Sequence, residues 1–257
     1  MNEFIIPNSW VLSPVKILVI GAGGTGSILL SVLAQMDYNL RQLSGGESYL
    51  DITVADGDTV SQFNIGRQAF YVGDVGLFKS EVLVNRFNQF SGTNWSFATE
   101  FVSAKDVFSF KADLVITCVD SAKFRFELGE YCANKQSNTL WLDCGNDTNS
   151  GQIIFGHIGC KSKDKLPNIY DLYGDALSSI EDRPEDSCSH AAALASQDFG
   201  VNHTIAINAT NLLWQILRHG KVNHHGFFVD ISSGTTNPLK IDHQVWRSFG
   251  YSEARQH

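Results

Sequence analysis

The sequence is short of several things that mark whole classes of protein. Its 257 residues carry five cysteines, an odd number, and no C-x-x-C pair. That argues against a disulfide framework and against a Cys₄ zinc site. No apolar run approaches the ~18 residues that a membrane span needs. The N-terminus, "MNEFIIPNSWVLSP", has neither a basic n-region nor a cleavable apolar core, so no signal peptide is read there and the chain is expected in the cytoplasm. Positive charge is scarce: 19 Lys and Arg against 27 Asp and Glu leave a net charge of −8. A surface that neutralises a nucleic-acid backbone is basic, so any phosphate site here must be local. No arginine precedes Arg41. The eight histidines form no H-x-x-x-H spacing, and surface or capping roles are expected for them.

What is present is an ordinary globular composition, 43% apolar and 18% charged, on a chain long enough to bury a sizeable core. "VKILVI", residues 15–20, reads as a buried parallel strand that stops at "GAGGTGS". A helical pattern follows over 27–36, then a polar connection, "NLRQLSGGES", and a second strand over 49–56. Further strand-like runs lie at 95–102, 113–120, 138–145 and 151–158, with helical patterns at 77–90 and 122–135. Alternation of this kind predicts an α/β fold: a Rossmann-like doubly wound, mostly parallel sheet with an antiparallel C-terminal portion. The pattern dissolves over 159–189, returns as a helix over 201–218 and a late strand over 226–232, and ends in a polar tail. One domain is expected, with a nucleotide-binding half at about 15–150, a second half at about 151–240 and the tail at about 241–257.

Four glycines, Gly21, Gly23, Gly24 and Gly26, sit between a strand and a helix in the G-x-G-x-x-G pattern. Glycines let a backbone approach a phosphate, and a helix N-terminus presents N–H groups and partial positive charge. By itself the motif indicates a nucleotide without saying which. Asp56, at the end of the second strand, suits a ribose; Asp58 is either a second ligand group or turn chemistry in "DGD". A ribose alone does not need Asn64, Arg67 and Gln68, whereas a triphosphate needs such cationic and amide donors. Lys79 opens a helix, against the helix dipole, which suggests a use other than helix stability. Asp120 ends "LVITCVD", where strand ends line the ligand crevice of an open α/β sheet, and a carboxylate facing phosphates there suits Mg²⁺. The set describes an ATP and Mg²⁺ pocket.

With "VIGAGGTGS", "ADGDTVSQFNIGRQAF", "DVGLFKSEV", "VITCVDSAKFR" and "SCSHAAALASQDFGVNHTIAINATNLLWQIL" in this order, the sequence resembles the ThiF/MoeB/HesA group, the E1-like adenylating enzymes. It looks nearest to the ThiF-related protein of the PRTRC (ParB-related, ThiF-related cassette) system. The resemblance implies an enzyme that uses MgATP to adenylate the C-terminal glycine of a small ubiquitin-like β-grasp protein, working as a homodimer. It implies that Asp56 holds the ribose, that Asn64, Arg67 and Lys79 contact phosphates with Gln68 supporting their loop, and that Asp120 binds Mg²⁺ with Arg125 beside it. The paired C-x-x-C motifs of many relatives are absent, and so is the N-terminal arginine that relatives send into a partner subunit's site.

Cys188 falls where some relatives keep a cysteine that takes the activated carboxyl as a thioester or acyl-disulfide. Arg183 and His190 would favour its thiolate, while Glu181, Asp182, Glu185 and Asp186 would oppose it. An unreactive loop thiol is the competing reading. Cys118 and Cys144 are expected in the core, Cys132 in helix packing and Cys160 in a loop. A non-catalytic scaffold that binds ATP and a partner, and an NAD-dependent oxidoreductase, are the alternatives the motifs leave open.

Overall fold

The computed structural model describes residues 2–159, 164–180 and 197–251. In chain order the elements are β1 (Phe4–Ile5), α1 (Asn8–Leu12), β2 (Val15–Ile20), α2 (Gly24–Ser44), β3 (Leu50–Ala55), α3 (Lys79–Ser91), β4 (Ser96–Ala98), β5 (Leu114–Thr117), α4 (Ala122–Cys132), β6 (Leu140–Asn146), β7 (Ser150–His157), α5 (Ile169–Ser179), α6 (Val201–His219), β8 (Lys221–Val222), β9 (His224–Asp230), β10 (Thr235–Lys240) and α7 (His243–Ser248). Eight strands form one sheet in the order β10-β9-β7-β6-β5-β2-β3-β4, and β1 pairs with β8 in a separate ribbon. The β2–β3, β2–β5, β3–β4 and β5–β6 pairs are parallel. The β6–β7, β7–β9 and β9–β10 pairs are antiparallel. This is the expected mixed sheet. Its strand order reverses around β2, which places a topological switch point at the end of that strand.

β2 and β5 are continuous apolar runs because both faces are covered: Leu18, Val19, Val115 and Ile116 are fully buried. α2 lies beside α6 and α3, α6 also covers β6, β7 and β9, and α4 packs on α5. Among the described residues no helix is long and apolar enough to cross a membrane.

Several sequence expectations need correction. The polar stretch after residue 36 is helical: α2 continues to Ser44 and stops at Gly45, whose φ of 66° supplies the left-handed cap. Asn39 and Gln42 face solvent, while Leu40 is buried and the buried Asp37 accepts from Arg41 Nε at 2.8 Å and from the Leu50 N–H at 2.6 Å. The strand expected over 95–102 shortens to Ser96–Ala98, and Phe101 projects into solvent. Within 159–189 there is a regular helix, α5. Asn168 caps it by accepting from the Asp171 N–H, and Asp171 returns the bond to the Asn168 N–H. The polar tail expected from about 241 contains the helix α7, anchored by the fully buried Trp246, and the strand β10 leads into it. His225 is not a surface residue: it is fully buried beneath Trp246.

Candidate functional site

The carboxyl ends of three adjacent parallel strands define the site. Ile20 of β2 is in register with Ala55 of β3 on one side and Thr117 of β5 on the other. Gly21, Asp56 and the 118–120 turn therefore leave the sheet at one level. Gly21 has φ 93°, and a Cβ there would stand 2.7 Å from the Cys118 carbonyl oxygen. A Cβ on Gly26 would meet the Gly21 oxygen at 2.0 Å. These glycines fold the turn tightly against the neighbouring strand end. Gly23 is the N-cap of α2 and gives it no side-chain cap, so the helix opens toward the crevice with backbone alone.

Gly24 has a different reason. Its Cβ would lie 2.7 Å from Asn202 Nδ2, in the first turn of α6. Asn202 Oδ1 accepts from Thr25 Oγ1 at 2.9 Å and from Asn146 Nδ2 at 2.5 Å, and its Nδ2 donates to Gln197 Oε1 at 3.2 Å. One carboxamide thus joins the glycine turn, the end of β6 and the start of α6.

Asp56 is buried, and its two oxygens hold the site's backbone. Oδ2 accepts from the Ala22 N–H at 2.6 Å and Oδ1 from the Asp58 N–H at 2.8 Å. Burial raises its pKa, opposed by the Ala22 bond and by Lys79. A carboxylate oxygen accepts more than one bond, so these contacts leave capacity for a hydroxyl. Lys79 is buried, not solvated: Nζ sits 2.8 Å from Asp58 Oδ2, and its backbone N–H donates to the Asp58 carbonyl at 2.9 Å. That pairing accounts for a cation in the first turn of α3.

The segment between them is short turns. Asn64 Oδ1 accepts from the Ser61 N–H at 2.8 Å, which leaves its NH₂ as the donor end. Gly66, with φ 83°, turns the chain before Arg67, whose Nε donates to the Phe63 carbonyl at 3.4 Å. Gln68 lies against the glycine turn: its Nε2 is 3.9 Å from the position of a Gly23 Cβ. Its Oε1 is buried with no hydrogen-bond partner among the described residues. The Gln68 carboxamide thus keeps hydrogen-bonding capacity beside the uncapped N-terminus of α2.

Asp120 is exposed at the carboxyl end of β5. Arg125 does not face the crevice. It is buried, with Nε on Asp143 Oδ1 at 2.7 Å, Nη1 on the Ser121 carbonyl at 3.3 Å, and Nη2 on the Val119 and Cys144 carbonyls at 2.7 and 3.2 Å. Burial works against its charge and Asp143 outweighs burial, so its pKa is raised. It braces the turn that carries Asp120. Among the described residues no three His, Cys, Asp or Glu side chains gather as a metal cluster.

Cys132 and Cys144 are buried as expected, whereas Cys118 is half-buried just beyond the end of β5. The Cys144 thiol is pushed well above its usual pKa by its contact with Cys118 and by burial, and burial pushes Cys132 up to about 11. Neither is a thiolate at neutral pH. Cys188, with Arg183 and His190, lies outside the described residues, as does Cys160. Thr25, Asn146 and Asn202 carried no signal in a single sequence, because an Asn or Thr joins such a network only through tertiary contacts.

A model of the ThiF family matches residues 5–243. Over 132 residues the chain is 32% identical to the adenylyltransferase and sulfurtransferase UBA4 of Yarrowia lipolytica, covering 50% of this chain and 30% of that protein. The structure of E. coli MccB with ATP matches with a TM-score of 0.61 at 18% identity, over 90% of this chain and 64% of that one. The structure of PaaA matches with a TM-score of 0.60 at 15% identity, over 88% and 64%. The chain spans less than two thirds of each of these relatives, and the two structures share its fold. With the family model covering nearly the whole length, this chain belongs to the ThiF family.

Proposed function

We propose that this protein is an E1-like adenylyltransferase. It uses MgATP to activate the C-terminal glycine carboxylate of a small ubiquitin-like β-grasp protein, and it works as a homodimer. The observation that supports this best is that Gln68 lies against Gly23 at an uncapped helix N-terminus, while Asp56 ties Ala22 to Asp58, the partner of Lys79, one strand away from the end of β5 that leads to Asp120. A nicotinamide cofactor makes no demand for that set. UBA4 is an adenylyltransferase by name and MccB was solved with ATP, which agrees with this reading. Kinship with the PRTRC subgroup rests on the "GAGGTGS", "DTVSQFNIGRQAF" and "ITCVDSAKFR" motifs.

In this reading a carboxylate oxygen attacks the α-phosphorus. The new bond is O–Pα, the bond from Pα to the bridging oxygen breaks, and pyrophosphate leaves with the electron pair. The nucleophile is already ionised, so no general base is needed. The difficulty is one anion approaching another, and fixed cations and N–H donors relieve it. Lys79 and Arg67 face the phosphates, Asn64 donates through its NH₂, and Asp56 holds the ribose while fixing Ala22. Asp120 would hold Mg²⁺ together with the phosphates, and the ion would supply further charge neutralisation. Arg125 is a positioning residue for Asp120. Cys188 is the candidate acceptor of the activated carboxyl.

The test is exchange of labelled pyrophosphate into ATP in the presence of candidate β-grasp proteins ending in glycine. Partner-dependent exchange is expected, falling by about 10²-fold in Lys79→Ala. MgATP binding with no exchange for any such partner would leave the scaffold reading. Non-reducing mass analysis of the same mixtures shows whether Cys188 carries a reducible adduct.

A further inference from the structure

Arg86 lies on α3 two turns after Lys79, so both side chains leave the same face of the helix. It is not a ligand group, because its guanidinium is occupied inside the protein. Nη1 donates to the Ala69 carbonyl at 2.7 Å and Nη2 to Asp74 Oδ2 at 2.6 Å. The same Asp74 oxygen accepts from the Tyr71 N–H at 2.7 Å, and the Arg86 Cζ lies 4.7 Å from the centroid of the Tyr71 ring. The peptide on the other side of Ala69 is also held, since the Ala69 N–H donates to Ser27 Oγ on α2 at 3.0 Å.

Arg67 and Gln68 immediately precede Ala69; their N–H groups donate to the Asn64 carbonyl at 3.2 and 3.0 Å, which folds the segment on itself, but little apolar burial anchors it to the helices. Over residues 61–78 the buried side chain is Phe70; Phe63, Tyr71, Val72, Val75, Leu77 and Phe78 are exposed. An irregular loop with so little apolar burial opens locally unless polar contacts hold it. The Ala69 peptide is the point where the loop is fastened to both α2 and α3.

We propose that Arg86 is a positioning residue that sets the placement of Arg67 and Gln68 by clamping the Ala69 peptide and the 71–74 turn. Its importance for nucleotide use rests on the proposed function above; the clamp itself does not. Two readouts separate the two. The first needs no nucleotide. Trypsin cuts after Arg67 only when the loop opens, so Arg86→Met is expected to raise the rate of that cut about tenfold over wild type. Cleavage at sites in other loops stays unchanged, and Arg86→Lys, which keeps one of the two contacts, falls between. A rate at Arg67 equal to wild type overturns the proposal, and so does a uniform rise at every site, which marks general destabilisation. If Arg86→Met does not fold, Arg86→Lys carries the comparison.

The second readout is MgATP binding. Arg86→Met is expected to weaken it about tenfold in the wild-type background and less than about twofold in the double variant Arg67→Ala/Gln68→Ala, because an effect carried through these two residues disappears with them. Equal losses in both backgrounds overturn the proposal. Wild-type protein that binds no MgATP refutes the functional reading and leaves the cleavage test of Arg86 intact.

Discussion

Two basic residues that the sequence offers as site groups occupy opposite situations. Lys79 pairs with Asp58, whose side chain is exposed at the crevice edge, and in the proposed function it exchanges that partner for a phosphate. Arg125 has four acceptors, all internal, and none of them can be given up without leaving a buried orphan. Its main partner, Asp143, is fully buried and also accepts from Thr117 Oγ1 at 2.6 Å, while Asp143 Oδ2 has no partner among the described residues. Removing the cation would strand a buried carboxylate. Arg125→Ala is therefore expected to lower stability by about 3–5 kcal/mol, the usual cost of breaking a buried ion pair from one side. Urea unfolding measures this, and a loss below about 1 kcal/mol would contradict the brace. Sequence could place Arg125 next to Asp120 along the chain. It could not show which way the guanidinium turns, because the partner that decides it, Asp143, comes from a strand whose pairing is set by the whole sheet.

Between elements, the legible parts were those with local signals. β2 with its glycine turn is an apolar run ended by glycines, and α6 carries a buried stripe of Ile205, Ala209, Leu212 and Ile216 at helical spacing. α5 was hidden because three buried residues, Ile169, Leu172 and Leu177, are all that mark its inner face, although the Asn168 and Asp171 cap was readable. The role of Gly24 was legible only in part. Its place in the motif suggests a phosphate cradle, whereas Asn202 on α6 fills the space that a side chain would take. The contact makes a prediction about two helices far apart in sequence. Gly24→Ala should push the Asn202 carboxamide off Thr25, Asn146 and Gln197 and cost about 1–3 kcal/mol, as overpacking does. Shortening Asn202 to Ala frees that space, so the double variant should lose at least about 1 kcal/mol less than the two single losses summed. Unfolding curves of the four proteins give the coupling directly, and strict additivity would mean that the helices do not meet at this point.

At the scale of the whole molecule, one polar contact fastens the C-terminal part to the sheet. His225 on β9 is fully buried; its Nδ1 lies 2.8 Å from the Phe155 carbonyl on β7, and its Nε2 accepts from Trp246 Nε1 of α7 at 2.8 Å. A carbonyl needs a donor and an indole N–H needs an acceptor, so the ring is neutral with its proton on Nδ1. Protonating Nε2 would break the Trp246 bond and place a charge in the core. Burial accordingly lowers the pKa from 6.5 to about 4, with the Phe155 bond opposing and His224 assisting. The unfolded chain takes up this proton near pH 6.5 and the folded chain not until about pH 4. Stability is therefore full above the unfolded value, falls as the pH drops through that window, and levels off below it. The difference of about 2.5 units corresponds to roughly 3 kcal/mol. Buried carboxylates work the other way, since Asp56 and Asp171 are raised by burial and favour the folded state on acidification. The clean measurement is thus a comparison: urea unfolding of wild type and His225→Phe at steps from pH 7 to pH 4. The phenylalanine variant is less stable at pH 7, where it lacks both polar contacts. The gap between the two proteins should narrow by about 2–3 kcal/mol as the pH falls, because one of them has no proton to take up. A gap that stays constant over the range would mean that His225 is not the neutral link between α7 and the sheet.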